Sequence, residues 1–100
     1  MMKVKVKYFT TLRELAGAPE ERIELKEGAM LADLIKIVAS KYGKEAQDYL
    51  YTKGKVDPSI YLLINGKNSH VLSGLKTKLK NGDIVAIISP IGGGGCRFKV

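Results

Sequence analysis

Four consecutive glycines, Gly92, Gly93, Gly94 and Gly95, stand close to the C-terminus, directly after an apolar segment that closes with Pro90 and Ile91. Glycine has no side chain to bury and loses more freedom on ordering than any other residue. A run of four therefore weakens a fold unless the segment must reach or thread something. A glycine backbone enters a channel too narrow for any Cβ, and a glycine at a chain end leaves its carboxyl carbon open to attack. Both are what a carboxyl group needs if another molecule is to activate it. The same run would also serve as an inert flexible end. A phosphate cradle is a poorer reading. It needs glycines between a strand and a helix N-terminus, with a lysine and a hydroxyl residue following, whereas only Cys96, Arg97, Phe98, Lys99 and Val100 come after Gly95.

The remaining chemistry-bearing residues are few. Cys96 is the single cysteine and His70 the single histidine, so neither an intrachain disulfide nor a structural zinc site is expected, and no metal is assigned. A reactive thiol needs a neighbouring base or a built electropositive site, and Cys96 has only Arg97 and Lys99 beside it, so it reads as an incidental thiol. No nucleophile and base are paired along the chain, and no catalytic residue is assigned. The formal charge of +7 favours acidic partners. Fourteen of the seventeen basic residues are lysines, which argues against arginine readout of base edges. Lys3, Lys5 and Lys7, with Lys76, Lys78 and Lys80, read first as solvated faces of strands and loops. Tyr8, Phe9, Tyr42 and Tyr61 read as core or sheet-surface packing rather than a base-stacking platform.

The elements that must position the glycines can be read from periodicity. Lys3 to Tyr8 alternates strictly, with Val4, Val6 and Tyr8 on one face and three lysines on the other, which predicts a strand with one wet face. Thr11-Leu12-Arg13-Glu14 fits a capping box with Gly17 as the stop, predicting one or two helical turns. Arg22 to Leu25 alternates again and suits an antiparallel neighbour of the first strand. From Met30 to Tyr42, Leu31, Leu34, Ile35, Val38 and Tyr42 form one apolar stripe, with Gly43 at the C-terminal stop and no obvious side-chain cap at the start. The segment 44–57 reads as a short helix and a loop. Ile60 to Ile64 is a short, almost continuous apolar run and predicts a strand buried on both faces or nearly so, followed by an Asn65-Gly66 turn and an extended piece around His70 and Val71. Lys80 to Asp83 is another turn, and Ile84 to Ile88 is the last strand before Pro90. Strands in this order with one principal helix predict an α+β domain, the helix covering one face of a mixed sheet. One hundred residues suffice for one core. No stretch approaches the roughly 18 apolar residues of a membrane span, and the N-terminus has no secretory pattern, so a cytoplasmic protein without a membrane partner is expected.

Several segments together resemble a known family. They are Tyr8 to Gly17 after the first strand, Asp33-Leu34 in the helix, Ile64-Asn65-Gly66, and Leu79-Lys80-Asn81-Gly82-Asp83-Ile84-Val85 leading through Pro90-Ile91 into the glycines. In order and spacing the chain resembles the ubiquitin-like β-grasp sulfur carriers. The likeness is chiefly to the small subunit of molybdopterin synthase, with the thiamine-biosynthesis sulfur carrier and archaeal ubiquitin-like modifiers as relatives. The resemblance implies a β-grasp domain over residues 1–91, with a mixed sheet of four to five strands and one main helix, and a flexible glycine-rich tail over 92–100. It also implies a non-catalytic carrier whose C-terminal glycine carboxylate is adenylated and converted to a thiocarboxylate for sulfur transfer in molybdopterin biosynthesis. ATP and magnesium would belong to an activating enzyme, and the molybdopterin synthase large subunit would receive the tail, Pro90 to Gly95. Family members typically end at Gly-Gly, whereas Cys96 to Val100 follow here. A carboxyl group held in a peptide bond cannot be adenylated, so a processing protease acting around Gly94, Gly95 and Cys96 is implied. Family spacing from Pro90 puts the functional pair at Gly93-Gly94; trimming only the non-glycine residues leaves Gly94-Gly95. Two other functions compete: a modifier conjugated through its terminal glycine to lysines, and a basic nucleic-acid-binding module, which the lysine-rich composition makes the least expected.

Overall fold

A computed structural model describes residues 1–57, 59–69 and 72–88. Five strands form one mixed sheet: β1 (Met2–Tyr8), β2 (Glu20–Leu25), β5 (Tyr61–Ile64), β6 (Lys67–Asn68) and β7 (Ile84–Ile88), in the order β2-β1-β7-β5-β6. The pairing of β1 with β7 is parallel and the other three are antiparallel. Two helices, α1 (Thr10–Ala16) and α2 (Leu31–Leu50), and a separate hairpin of β3 (Tyr51–Thr52) and β4 (Lys55–Val56) complete the chain, with a 3-10 turn at Gly74–Lys76.

The strands form where alternation predicts them. In β1, Met2, Val4, Val6 and Tyr8 are buried. Their register against β2 sets Val4 opposite Ile23 and Met2 opposite Leu25, so both strands turn their apolar residues toward α2. The helix answers with Leu31, Leu34, Ile35 and Val38, all fully buried. At its start the backbone N–H of Met30 is satisfied by Asp33 Oδ2 at 2.8 Å. The missing N-cap side chain is thus replaced by an acidic residue three positions on, reaching back. Gly43 has φ 82 and ψ −164, a conformation that breaks the α2 ladder, and the helix resumes to bury Ala46 and Leu50. The predicted stop at Gly43 and short helix beyond it are both present as one kinked element.

Three expectations need correction. The Thr11 to Glu14 capping box does not form, because the helix begins two residues earlier than that box requires, at Thr10 with Phe9 in the N-cap position and no side-chain cap; the Thr10 hydroxyl instead donates to the Phe9 carbonyl at 2.7 Å. Gly17 does end the helix, left-handed at φ 75, with its N–H on the Arg13 carbonyl. The segment 44–57 carries the β3–β4 hairpin as well as a helix, closed by Lys53 at φ 55 and Gly54 at φ 80. That lysine-glycine turn lacks the Asn-Gly signature of a hairpin. Lastly, β5 is not buried on both faces: Leu62 and Ile64 are, but Tyr61 is 52% exposed. The piece expected around His70 and Val71 lies outside the described residues, although a strand, β6, does follow the Asn65-Gly66 turn.

One polar cluster ties helix to sheet. Glu21, on the helix side of β2, accepts hydrogen bonds from the Tyr8 and Tyr42 hydroxyls and, at 2.5 Å, from Lys41 Nζ. The Tyr8 and Tyr42 rings meet edge to face at 5.9 Å. Burial pushes the Glu21 carboxyl up, but the hydrogen bonds from Lys41, Tyr42 and Tyr8 outweigh it and hold the group below its ordinary 4.5. Burial and the Glu21 charge push both phenols up. A carboxylate whose folded value is depressed adds stability that is complete above 4.5 and is lost as pH falls through the folded value. Glu21→Gln is therefore expected to be about 2 kcal/mol less stable at neutral pH and to lose less stability in acid than the unaltered chain. Urea unfolding from neutral pH to below 4.5 checks both; equal acid losses in the two proteins would remove Glu21 as the cause.

Candidate functional site

Every residue assigned to the tail, Pro90, Ile91, Gly92, Gly93, Gly94, Gly95 and Cys96, lies outside the described residues. The described structure instead fixes the point from which the tail departs. Strand β7 occupies the centre of the sheet, between β1 and β5, and both Val85 and Ile87 are fully buried. Ile87 is level with Tyr8 on one side and Leu62 on the other, and Ile88 is level with Tyr61. The chain thus reaches its glycine segment from the most constrained strand of the molecule.

The beginning of β7 is held as firmly. The Asn65 N–H donates to the Ile84 carbonyl at 2.8 Å, and the Ile84 N–H to Asn65 Oδ1 at 2.9 Å. Asn65 Nδ2 adds a bond to Asp83 Oδ1. Asn65 adopts φ 52, a left-handed conformation that asparagine tolerates and that the hairpin turn requires. The Asn81-Gly82 turn docks onto β1, with the Gly82 N–H on the Lys3 carbonyl and the Lys3 N–H on Asn81 Oδ1.

Both helices lie on the side of the sheet that buries Val6, Val85 and Leu62, and among the described residues no layer covers the other side. Strand alternation puts Ile84, Ala86 and Ile88 of β7 there, together with Tyr61 and Leu63 of β5 and Lys3, Lys5 and Lys7 of β1. Ile84 is 38% exposed and Leu63, Ala86 and Ile88 are half-buried. Phe9 extends the backbone of β1 by one residue, at φ −133 and ψ 153, and is itself exposed. By alternation it joins Ile88 and Tyr61 in one apolar row across the sheet, at the level where the tail begins. The chain then turns sharply through Thr10, whose φ of 52 is strained for a β-branched residue.

Sequence reasoning gives Phe9 and Tyr61 as core or sheet-surface packing and assigns this row no role in binding. The available signal was parity: Tyr61 and Leu63, like Ile84 and Ile88, are apolar at positions alternating with buried ones, while the chain has only one long amphipathic helix to cover a face. Of the residues weighed as alternatives, Tyr8 and Tyr42 pack inside as expected, Phe9 and Tyr61 lie on the open face, and His70 falls outside the described residues. Among the described residues no three His, Cys, Asp or Glu side chains come together to hold a metal, and no helix is long and apolar enough to cross a membrane.

A mixed five-stranded sheet gripping a kinked helix on one face, with its first and last strands parallel at the centre, is the ubiquitin-like β-grasp fold. The chain belongs to the ThiS family, whose model matches residues 6–94. It is 35% identical over 94 residues to a molybdopterin synthase sulfur carrier subunit of Chlamydomonas reinhardtii, covering 93% of this chain and all of that one. The solution structure of small archaeal modifier protein 1 from Methanosarcina acetivorans superposes with a TM-score of 0.78 at 38% identity, over 94% of this chain and 98% of the other. A chain of the BexX/CysO complex from Amycolatopsis orientalis matches with a TM-score of 0.70 at 28% identity, over 91% and 99%. The protein is a small member of a sulfur-carrier and ubiquitin-like family.

The described core is closed by Ile87, and all its buried side chains come from residues 2–87. A chain ended after Gly94 is accordingly expected to unfold within about 0.5 kcal/mol of the full-length protein. Urea denaturation of the two forms measures this, and a larger loss would mean that residues beyond Gly94 take part in the fold.

Proposed function

We propose that this chain is a sulfur carrier for molybdopterin biosynthesis, and that its working terminus is Gly94. The observation that carries the reading is the run of the family match from the first strand through to Gly94, entered from a rigid central strand. In this reading a protease first cuts after Gly94, releasing the residues behind it. The freed carboxylate attacks the α-phosphorus of ATP on an activating enzyme, with magnesium held by that enzyme, and pyrophosphate leaves. A sulfide equivalent then attacks the acyl carbon, AMP leaves, and a thiocarboxylate remains for delivery to a small acceptor within the large synthase subunit. The chain's own contribution is positional: β7 fixes the root of the tail, and the row of Phe9, Ile88 and Tyr61 gives a partner an apolar surface beside it. Likeness to a chain solved in a two-protein complex supports a carrier that works docked.

The intact mass of the protein from its native cells tests this. The expected species ends at Gly94 and is heavier than the plain acid by the difference between sulfur and oxygen. Full-length protein alone, even with an activating enzyme and ATP supplied, would sink the reading. A second reading, conjugation of the same glycine to lysines, is favoured by the likeness to small archaeal modifier protein 1. It predicts tryptic peptides whose lysines carry the branch Asn81 to Gly94, the piece that follows the last tryptic site at Lys80, and such peptides under conditions that yield no thiocarboxylate would move the assignment to a modifier.

The docking role has its own test. Tyr61→Lys is expected to leave unfolding stability within about 0.5 kcal/mol, since the side chain is half exposed. The same change should weaken capture by the activating enzyme by about 2 kcal/mol, the scale of an aromatic anchor at an interface. Unchanged binding in a titration would show that the open face is not used.

A further inference from the structure

At the end of the open face farthest from the tail, a groove of about 360 Å³ runs beside the start of β7. Its walls carry Lys3, Lys5 and Arg22, its apolar side chain is Ile84, and the Asn81-Gly82 turn closes one end. No carboxylate lines it. Lys5 and Arg22 stand directly opposite one another in the β1–β2 register, an arrangement in which like charges repel across the strands. Lys5 gains partial relief from Glu20 at 3.3 Å. Glu24 lies opposite Lys3 in the register, but among the described residues no ion pair within 4.0 Å joins them, and none is made by Arg22. The sheet thus holds a local positive charge that its own acids leave incompletely balanced.

We infer that this groove is an accessory docking site for an acidic segment of a partner protein, one that sets carboxylates on Lys3, Lys5 and Arg22 and an aliphatic side chain against Ile84. The groove's own chemistry selects this occupant. The Gly82 N–H is taken by the Lys3 carbonyl and Asn81 Oδ1 by the Lys3 N–H, so the turn does not aim a set of convergent backbone donors of the kind that grips a compact phosphate. No aromatic ring lines the groove to stack a base. What it offers is three long cations around an aliphatic patch, which complements alternating carboxylate and aliphatic side chains. The four steps from Ile84 to Ile88 span about 13 Å at strand rise, so a protein seated on the apolar row near the tail reaches the groove without leaving the face.

The inference rests on the docking role proposed above only for the identity of the partner, and its test separates the two. The probe is a synthetic peptide, Glu-Leu-Glu-Leu-Glu, titrated into the isotope-labelled full chain, alongside its Gln-Leu-Gln-Leu-Gln counterpart and a short single-stranded oligonucleotide. The acidic peptide is expected to shift the backbone amide signals of Lys3, Lys5, Arg22 and Ile84, with an effect that weakens as salt is raised, while the neutral peptide leaves them in place. The charge-reversed double variant Lys3→Glu, Arg22→Glu should keep the amide spectrum of the folded chain and lose the response. With the activating enzyme, the same variant should raise KM for the carrier about tenfold and leave kcat within about twofold. Shifts spread over all surface lysines, equal response to the neutral peptide, or a stronger response to the oligonucleotide would each overturn the site. A carrier that is activated normally, with KM unchanged in the variant, would overturn the groove and leave the carrier reading intact.

Discussion

The structure depends on one pairing, the parallel ladder between its first strand and its last. Val6 lies level with Val85 and Tyr8 with Ile87, so the two ends of the chain meet at the centre of the sheet. Neither strand can bury its apolar residues until the intervening segment has folded back. Parallel neighbours cannot be joined by a tight turn, and here almost the whole chain is the connection. Strand β2, helix α2 and the β5–β6 hairpin lie between them in the chain, while in the sheet β7 sits between β1 and β5. Its residues are held on both edges, and the tail inherits a fixed origin from that position.

The second constraint follows from the first. A sheet of five strands has two faces, and α2 is one helix with one apolar stripe. It covers Val4, Val6, Ile23, Val85 and Leu62, and the Glu21 cluster fastens it there through Tyr8, Lys41 and Tyr42. Nothing comparable covers the opposite side among the described residues. Ile84, Ala86, Ile88, Tyr61 and Leu63 therefore remain at the surface, bordered by the lysines of β1. Single exposed apolar residues are ordinary, but a contiguous set on a flat sheet marks an interaction surface.

Much of this was legible in the residues. Period-two alternation located β1 and β2, because one side of each strand is wet. The spacing of Leu31, Leu34, Ile35 and Val38 located α2, and Asn65-Gly66 the hairpin, since each is a local pattern with a local cause. The misses have equally physical reasons. The Lys53-Gly54 turn takes left-handed φ values at a lysine, which no residue preference announces. Asp33 caps α2 from inside the helix, so a search for a capping side chain at its start finds nothing. Most consequentially, Tyr61 to Ile64 is apolar at both parities, and an apolar run reads the same whether its second face meets a helix of the same chain or a different molecule. The residues of the open face were visible while their role was not, because the sequence of one chain does not contain the surface that would cover them. The order of motifs leading into Gly92 to Gly95 supplied the family, yet the glycines themselves lie beyond the last described strand.

A tail without side chains cannot supply much affinity for the site that it enters. Fixing one backbone residue costs about 1–2 kcal/mol, so ordering the three glycines Gly92 to Gly94 in a channel costs on the order of 3–6 kcal/mol, and they have no apolar surface of their own with which to offset it. For a chain that presents a glycine terminus, the binding energy must come from elsewhere on the molecule and be transmitted to the terminus without slack. The two constraints above meet that requirement together. The open face offers apolar surface, at roughly 25 cal/mol per Å² buried, and β7, which contributes its central row, is the strand that continues into the tail. A partner gripping Tyr61, Ile88 and Ala86 is therefore gripping the tail's own root, and the distance over which the glycines must be ordered is counted from a fixed point.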